Sequence, residues 1–260
     1  MIVVDKLCYT SKLRYVNPYE KFFFAVLTLI FVIVSRSAAM GAAVIAMNSW
    51  LTVKKGGIRA AEYGRLMMIP LVFLLLSTLA IVINFSPVPL DAFGFRLGET
   101  YITGSFEGIG RAVRLTVTAM GAVSCLYFLS LNTTMTDILT VLSGLRCPAL
   151  LSELMLLIYR YIFVLLDTAY YISVAQNARL GNVSLRARVK SFTSLVQTLF
   201  IRSIKRAAAL YDAMESRCYD GEIRVLKENR PADRKDITAI TAVETILLVW
   251  TAVARIGIIG

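Results

Sequence analysis

The chain has 260 residues, of which 57% are hydrophobic and only 17% are charged. A soluble domain carries about a quarter charged residues, so this composition, with a mean hydropathy of +0.68, indicates an integral membrane protein. The net charge is +11, but no nucleic-acid motif and no interleaving of aromatic and basic residues accompanies it. We therefore expect the lipid bilayer, and no nucleic acid, as a partner.

The residues that usually carry catalysis or bind metals are scarce. There is no histidine, and the cysteines form no C-x-x-C pair, so we expect no metal site, no cofactor and four unpaired thiols. They are Cys8, Cys125, Cys147 and Cys218. The chain also lacks the G-x-x-x-x-G-K-[ST] loop that holds ATP, and no set of residues for hydrolysis is visible, so the sequence predicts a protein that is not itself an enzyme. The first 19 residues contain no signal-peptide core, and we expect no cleaved signal.

Apolar stretches in the first half of the chain predict four transmembrane helices. The first two form a tight hairpin around Ser35-Arg36-Ser37, and the loop after the third contains a short β-hairpin near 93–102, outside the cell. Small residues, among them Gly41, Gly64 and Gly121, would permit close helix approach. The four predicted spans are Phe22–Val34, Ala38–Val53, Leu66–Phe85 and Ile109–Leu129.

The next apolar stretch, Ala149–Ala178, has two possible placements. It follows a short amphipathic helix, 136–146, that begins at a threonine cap and ends before Pro148. Hydropathy alone makes Ala149–Ala178 a span, but Glu153, Arg160 and Asp167 lie along one face of it at seven-residue spacing. If this stretch crossed the membrane, the basic block at Arg146 and the basic block after Arg179 would lie on opposite sides of it, against the charge rule. We therefore predict that it lies obliquely under the spans, with the three charged residues on a shared seam.

The segment from 176 to 221 predicts a long amphipathic helix. Apolar residues such as Phe192, Leu199 and Tyr211 recur every three or four positions, and charged residues occupy the other faces, so it cannot cross a bilayer. It can lie on an anionic lipid surface or against partner helices. From 179 to 235 there are 13 Lys or Arg and 6 Asp or Glu, which places this block on the cytoplasmic side. A last span, 237–256, follows.

Several short motifs together resemble the transmembrane T component of energy-coupling factor (ECF) transporters, and most closely the cobalt-transport CbiQ type. They cover nearly the whole chain in the same order: Asn17-Pro18-x-x-Lys21, Thr133-Thr134, Leu145-Arg146-Cys147-Pro148, Leu157-Ile158-Tyr159-Arg160-Tyr161, Ala175-Gln176-Asn177-Ala178-Arg179 and Arg206 to Gly221. The resemblance implies a module that joins a substrate-binding membrane subunit to a pair of ABC-type ATPase subunits.

The resemblance also implies two cytoplasmic coupling helices that cross, each ending in an arginine motif, commonly Ala-Arg-Gly, that docks into an ATPase. By position these motifs are Ala178-Arg179-Leu180 and Ser216-Arg217-Cys218. Both lack the glycine that favours a positive φ at a helix end, and Gly181 could take that role in the first. An arginine there can bind a carboxylate or backbone carbonyls in a planar, bidentate way that lysine cannot copy.

The predicted fold class is therefore an all-α membrane protein with about five transmembrane helices and two crossing amphipathic coupling helices. The predicted domains are residues 1–130 in the membrane, 131–220 with the cytoplasmic coupling helices, and 221–260 with the last span. The predicted function is a non-catalytic coupling subunit of an ECF-type importer in the prokaryotic cell membrane, most directly for cobalt ions. Alternatives are a T component shared by several vitamin or metal substrate-binding subunits, a lipid-surface scaffold, and a membrane enzyme acting on anionic lipid headgroups.

Overall fold

The computed structural model describes residues 3–82, 84–86, 93–97, 100–104, 106–221, 223 and 234–259. Nearly all of this chain is helical, which confirms the predicted fold class of a helical membrane protein. The helices are α1 (Val3–Thr10), α2 (Pro18–Ser35), α3 (Ala38–Trp50), α4 (Ala60–Val82), α5 (Phe106–Asn132), α6 (Met135–Gly144), α7 (Ala149–Ala178), α8 (Leu185–Glu215) and α9 (Arg234–Ile259).

Five of the described helices are long and apolar enough to cross a membrane, in agreement with the predicted number. They are Pro18–Ser35, Ala60–Val82, Glu107–Asn132, Ala149–Ala178 and Asp236–Val253. The set differs from the predicted one, because it contains α7 and omits α3, which has only 13 residues. However, α3 runs directly into a π-helical turn, Leu51–Lys55. The continuous helical segment is then roughly 27 Å long, close to the hydrocarbon thickness of about 30 Å.

The predicted hairpin between the first two apolar helices is confirmed. Helix α2 ends at Ser35, and α3 begins at Ala38, so only two residues connect them. Arg36 adopts a left-handed conformation with φ 48°, which reverses the chain direction. The turn therefore returns α3 along α2.

Helices α3 and α5 approach each other closely at two glycines. A Cβ on Gly41 would lie 2.8 Å from the carbonyl oxygen of Val117, and one on Gly121 would lie 3.1 Å from the Cα of Gly41. The predicted role of these two glycines in close helix approach is confirmed. It is wrong for Gly64, because a Cβ there would meet no heavy atom within 4 Å in the described part of the chain.

The predicted β-hairpin after α4 is also confirmed. Strand β2 (Phe93–Leu97) pairs antiparallel with β3 (Thr100–Gly104), with Phe95 opposite Ile102. The short strand β1 (Asn84–Ser86) pairs with the other edge of β3, which gives the order β1-β3-β2. This small sheet connects two apolar helices, α4 and α5.

Polar contacts hold the N-terminal segment against the end of α5. Ser11 Oγ donates to Asn132 Oδ1 at 2.7 Å, and Lys21 Nζ donates to the carbonyl oxygens of Leu13 at 3.1 Å and Asn132 at 3.0 Å. Lys21 is only 3% exposed. A buried ammonium group is tolerated when its donors are satisfied, so Lys21 fixes the last turn of α5 to the chain before α2.

The chain divides into two compact units. The membrane unit comprises Ile2–Ile138 and Asn229–Gly260, and the helix-pair unit comprises Leu139–Glu228. The core of the membrane unit includes the buried side chains of Val32, Met40 and Cys125, from α2, α3 and α5. Helix α6 begins as predicted at a threonine cap, because Thr134 Oγ accepts from the backbone N–H of Asp137 at 3.2 Å.

Candidate functional site

Helices α7 and α8 form an antiparallel pair of similar length. Helix α7 has 30 residues and α8 has 31. Gln176 Nε2 donates to the carbonyl oxygen of Ser191 at 2.9 Å, and the Arg206 guanidinium lies 6.0 Å from the ring centroid of Tyr161. Because Gln176 contacts Ser191 while Tyr161 contacts Arg206, the two helices run in opposite directions. The long amphipathic helix predicted for this segment is confirmed as α8.

The two helices end in the same way. The backbone N–H of Gly181 donates to the carbonyl oxygen of Gln176 at 2.9 Å, and the N–H of Tyr219 donates to that of Met214 at 3.1 Å. Each bond closes back over five residues, as in the Schellman motif that terminates helices. The two ends therefore have the same backbone design, although their sequences differ.

The left-handed residue of this design is not a glycine at either end. Leu180 and Cys218 both have φ 59°. The prediction that Gly181 takes the positive φ is wrong, because Leu180 itself adopts it. Gly181 is needed for space instead, since a Cβ on it would lie 2.7 Å from Ser191 Oγ and 2.9 Å from the carbonyl oxygen of Gln176. A residue other than glycine after the arginine therefore raises the free energy of the turn but leaves its backbone shape unchanged.

All six residues predicted to dock on a partner are exposed. They are Ala178, Arg179, Leu180, Ser216, Arg217 and Cys218. Neither arginine belongs to an ion pair within the part of the chain that the structure describes. Both guanidinium groups are thus accessible at the tips of capped turns. The docking role itself stays a prediction.

The two arginines have different electrostatic surroundings in the sequence. Residues following Arg179 are basic, whereas those flanking Arg217 are acidic. The first group is Arg186, Arg188 and Lys190, and the second is Asp212, Glu215 and Asp220. Because exposed charges are screened over about 10 Å at ordinary salt, each group influences mainly its own end of the pair.

The charged residues of α7 are placed differently from one another. Glu153 is buried, whereas Arg160 and Asp167 are exposed. No ion pair joins the three among the described residues. Glu153 instead accepts hydrogen bonds from the Tyr219 hydroxyl and from the backbone N–H of Ile223, both at 2.8 Å. The seam made of the three charged residues stays a prediction.

The four cysteines are free thiols, as predicted. Cys8 and Cys125 are buried, and Cys218 is exposed beside Arg217. Burial raises the pKa of Cys8 to about 11, so this thiol stays protonated at neutral pH. Cys218 is therefore more accessible than Cys8 and Cys125, and it lies at a predicted docking position.

The family model described as CbiQ, cobalt transport protein, matches residues 10–228. That range contains both helix ends and both arginines. The chain belongs to the CbiQ cobalt transport family. It is therefore a multi-pass membrane protein and a transmembrane transport component of the ECF type, related to cobalt transport.

Relatives of this chain include named transport proteins and proteins without an assigned function. It is 32% identical over 250 residues to an uncharacterised protein of Methanocaldococcus jannaschii, covering 95% of this chain and 91% of the relative. It is 28% identical over 229 residues to the cobalt transport protein CbiQ of Salmonella typhimurium, covering 86% of this chain and 100% of the relative. It is 28% identical over 162 residues to the ECF transporter transmembrane protein EcfT of Ruminiclostridium cellulolyticum, covering 58% and 60%.

Sequence reasoning missed the residues that hold the two turns. Ser191 Oγ donates to the carbonyl oxygen of Gly181 at 2.8 Å and so ties the first turn to α8. Tyr219 ties the second turn to α7 through Glu153. Neither the contact of Ser191 nor that of Tyr219 leaves a periodic signal in the sequence.

Proposed function

We propose that this member of the CbiQ family is the coupling subunit of an ECF-type importer. It transmits the ATP-driven motion of ABC-type ATPase subunits to a substrate-binding membrane subunit, and it catalyses no reaction itself. In this proposal Arg179 and Arg217 are the two anchors that hold the ATPase subunits. The pair of helices acts as a lever, with one anchor at each end.

The observation that carries the proposal is the match between the two helix ends. Each presents an exposed arginine directly before a left-handed residue, on a turn closed by the same backbone hydrogen bond. An isolated exposed arginine at a helix end is explained by the helix dipole alone. Two arginines in the same geometry, separated by the roughly 46 Å length of α8, are suited to two equivalent grooves on a pair of similar subunits.

The packing of α8 on α7 supports a position for both helices outside the bilayer core. Helix α7 is apolar enough to span, but its contacts with α8 would carry the α8 side chains with it. Arg202, Lys205 and Arg206 would each cost about 2.5–3.5 kcal/mol at the bilayer centre. We therefore propose that the helix pair lies at the membrane surface, on the cytoplasmic side together with the N-terminus.

For the substrate, the relatives favour cobalt over a shared role. The CbiQ relative of Salmonella typhimurium aligns with 86% of this chain, and the EcfT relative with 58%. We accordingly propose a T component that serves cobalt uptake. A component shared among several substrate-binding subunits is the alternative, and it predicts complexes with more than one such subunit.

The proposal is tested by pulling down the candidate ATPase subunits with the detergent-solubilised chain. The variants are Arg179→Ala, Arg217→Ala and the double change. Arg188→Ala is the matched control, because it removes the same charge from an exposed position on α8. Each anchor is expected to contribute hydrogen bonds to a charged group, so each single change should weaken binding about tenfold or more.

Loss of the complex in the double variant, with binding unchanged in Arg188→Ala, supports the two anchors. Equal binding by all variants would mean that the arginines are ordinary helix ends, and the docking role would be rejected. If the unmodified chain binds no ATPase subunit but binds anionic vesicles, the lipid-surface function replaces this proposal.

A further inference from the structure

A buried carboxylate connects the start of α7 to the chain that follows α8. Glu153 lies in the first turns of α7 and is 9% exposed. Its Oε2 accepts from the Tyr219 hydroxyl, and its Oε1 accepts from the backbone N–H of Ile223, each at 2.8 Å. We call these three groups the Glu153 latch. Both carboxylate oxygens are used, as the burial of a charged group requires.

The latch closes the turn that carries Arg217. After α8 the chain reverses at Cys218, with φ 59°, and turns again at Gly221, with φ 95°. The Tyr219 N–H bond to the carbonyl of Met214 fixes the beginning of this segment, and the latch fixes Tyr219 and Ile223. Arg217 therefore lies between the helix and a segment that is pinned to a different helix.

The turn that carries Arg179 is closed in a comparable way by other groups. Gln176 Nε2 donates to the carbonyl of Ser191, and Ser191 Oγ donates to the carbonyl of Gly181. Each arginine turn is thus tied to the opposite helix of the pair. The difference is that the first tie uses amide and hydroxyl groups, whereas the second depends on one carboxyl side chain that accepts two hydrogen bonds.

Hydrogen bonds to a charged acceptor are about twice as strong as those between neutral groups. The bond to Glu153 also raises the pKa of the Tyr219 hydroxyl, which keeps it a proton donor. A change in either partner therefore affects the order of the turn before it affects the helix pair, which has its own contacts further along.

We propose that Glu153 and Tyr219 are positioning residues for the second anchor, holding Arg217 in the orientation in which it binds an ATPase subunit. This rests on the proposed function, in which Arg217 is an anchor. Without the latch, Arg217 has to be ordered when the partner binds, and that ordering weakens the complex. The latch also connects the second anchor mechanically to the start of α7.

The latch itself is tested without any partner, by limited trypsin digestion of the solubilised full chain. The measured quantity is the rate of cleavage after Arg217, followed by mass spectrometry. Tyr219→Phe removes one hydrogen bond to a carboxylate and should increase this rate roughly tenfold. Tyr211→Phe, at an exposed tyrosine on α8, is the matched control and should leave the rate unchanged. An equal rate in Tyr219→Phe and the unmodified chain would overturn the latch.

The positioning role is tested by the affinity for the ATPase subunits. Tyr219→Phe should raise the Kd by about fivefold to tenfold in the unmodified chain and in Arg179→Ala. In Arg217→Ala it should have no further effect, because the residue that the latch positions is gone. Glu153→Gln keeps the shape and one acceptor, so its effect should be smaller than that of Glu153→Ala.

The outcomes separate this inference from the proposed function. An equal loss of affinity on Tyr219→Phe with and without Arg217 would overturn positioning, because a general loss of folding acts in both backgrounds. If the unmodified chain binds no ATPase subunit, the proposed function is rejected, and so is the positioning role that depends on it. The digestion rates then still decide whether the latch orders the turn.

Discussion

Replacing Leu180 by glycine is expected to stabilise the first arginine turn. Leu180 has φ 59°, a conformation that costs a residue with a Cβ roughly 1 kcal/mol more than it costs glycine. Its side chain is 74% exposed, so the change removes little buried surface. A gain of about 1 kcal/mol corresponds to a roughly fivefold smaller fraction of open turn. Cys218→Gly should act in the same way at the second turn.

Hydrogen exchange of the purified chain in detergent measures this gain locally. The Gly181 amide, which donates to Gln176, should exchange about fivefold more slowly in Leu180→Gly. Leu185→Gly is the matched control, because Leu185 is 75% exposed but is the first residue of α8. There glycine loses helix propensity, and exchange should be unchanged or faster. Exchange at Gly181 that is equal or faster in Leu180→Gly would refute the proposed cost of the left-handed leucine.

Three further predictions concern the membrane unit and the thiols. Gly41→Ala should lower the free energy of unfolding in detergent by about 1–3 kcal/mol, since the added Cβ would lie 2.8 Å from the carbonyl oxygen of Val117. Gly64→Ala should be neutral or stabilising. Equal effects of the two changes on thermal unfolding would contradict this packing. Lys21→Met leaves two carbonyl groups without this donor and should cost about 2–4 kcal/mol in the same assay, and an unchanged melting temperature would count against it. Maleimide at pH 8 should label the exposed Cys218 and leave Cys8 unmodified, because a pKa of about 11 leaves roughly one Cys8 thiol in a thousand as thiolate. Mass spectrometry detects the label, and equal labelling of both cysteines would contradict the prediction.

Most of the helices after α1 were predictable because each of them has a local cause in the sequence. The apolar spacing from 192 to 214 predicts α8 without knowledge of its partner. The cap at Thr134 and the break at Pro148 bracket α6 in the same way. Whether α7 spans the membrane or lies at its surface depends on its contacts with α8, and the hydropathy of α7 carries no information about those contacts.

The partners of Glu153 were not predictable from the same kind of pattern. Its seven-residue spacing from Arg160 directs attention to neighbours on its own helix. The partner that the structure gives it, Tyr219, is 66 residues away, beyond a helix and two turns. A hydrogen bond at such a separation leaves no periodic signal, because it depends on how α7 and α8 pack and where the chain turns after α8.

The two arginine turns have the same backbone geometry although their sequences differ. The resemblance to the T component implies that glycine commonly follows the arginine, and glycine is the residue that adopts a positive φ most easily. Here Leu180 and Cys218 adopt the same φ of 59°, and in each turn the same backbone hydrogen bond closes the helix. The surrounding hydrogen bonds fix the backbone at each turn, so the structure keeps a conformation that is about 1 kcal/mol less favourable for these residues than for glycine. At both turns the residue after the arginine is exposed, so its side chain does not disturb the hydrogen bonds that close the helix.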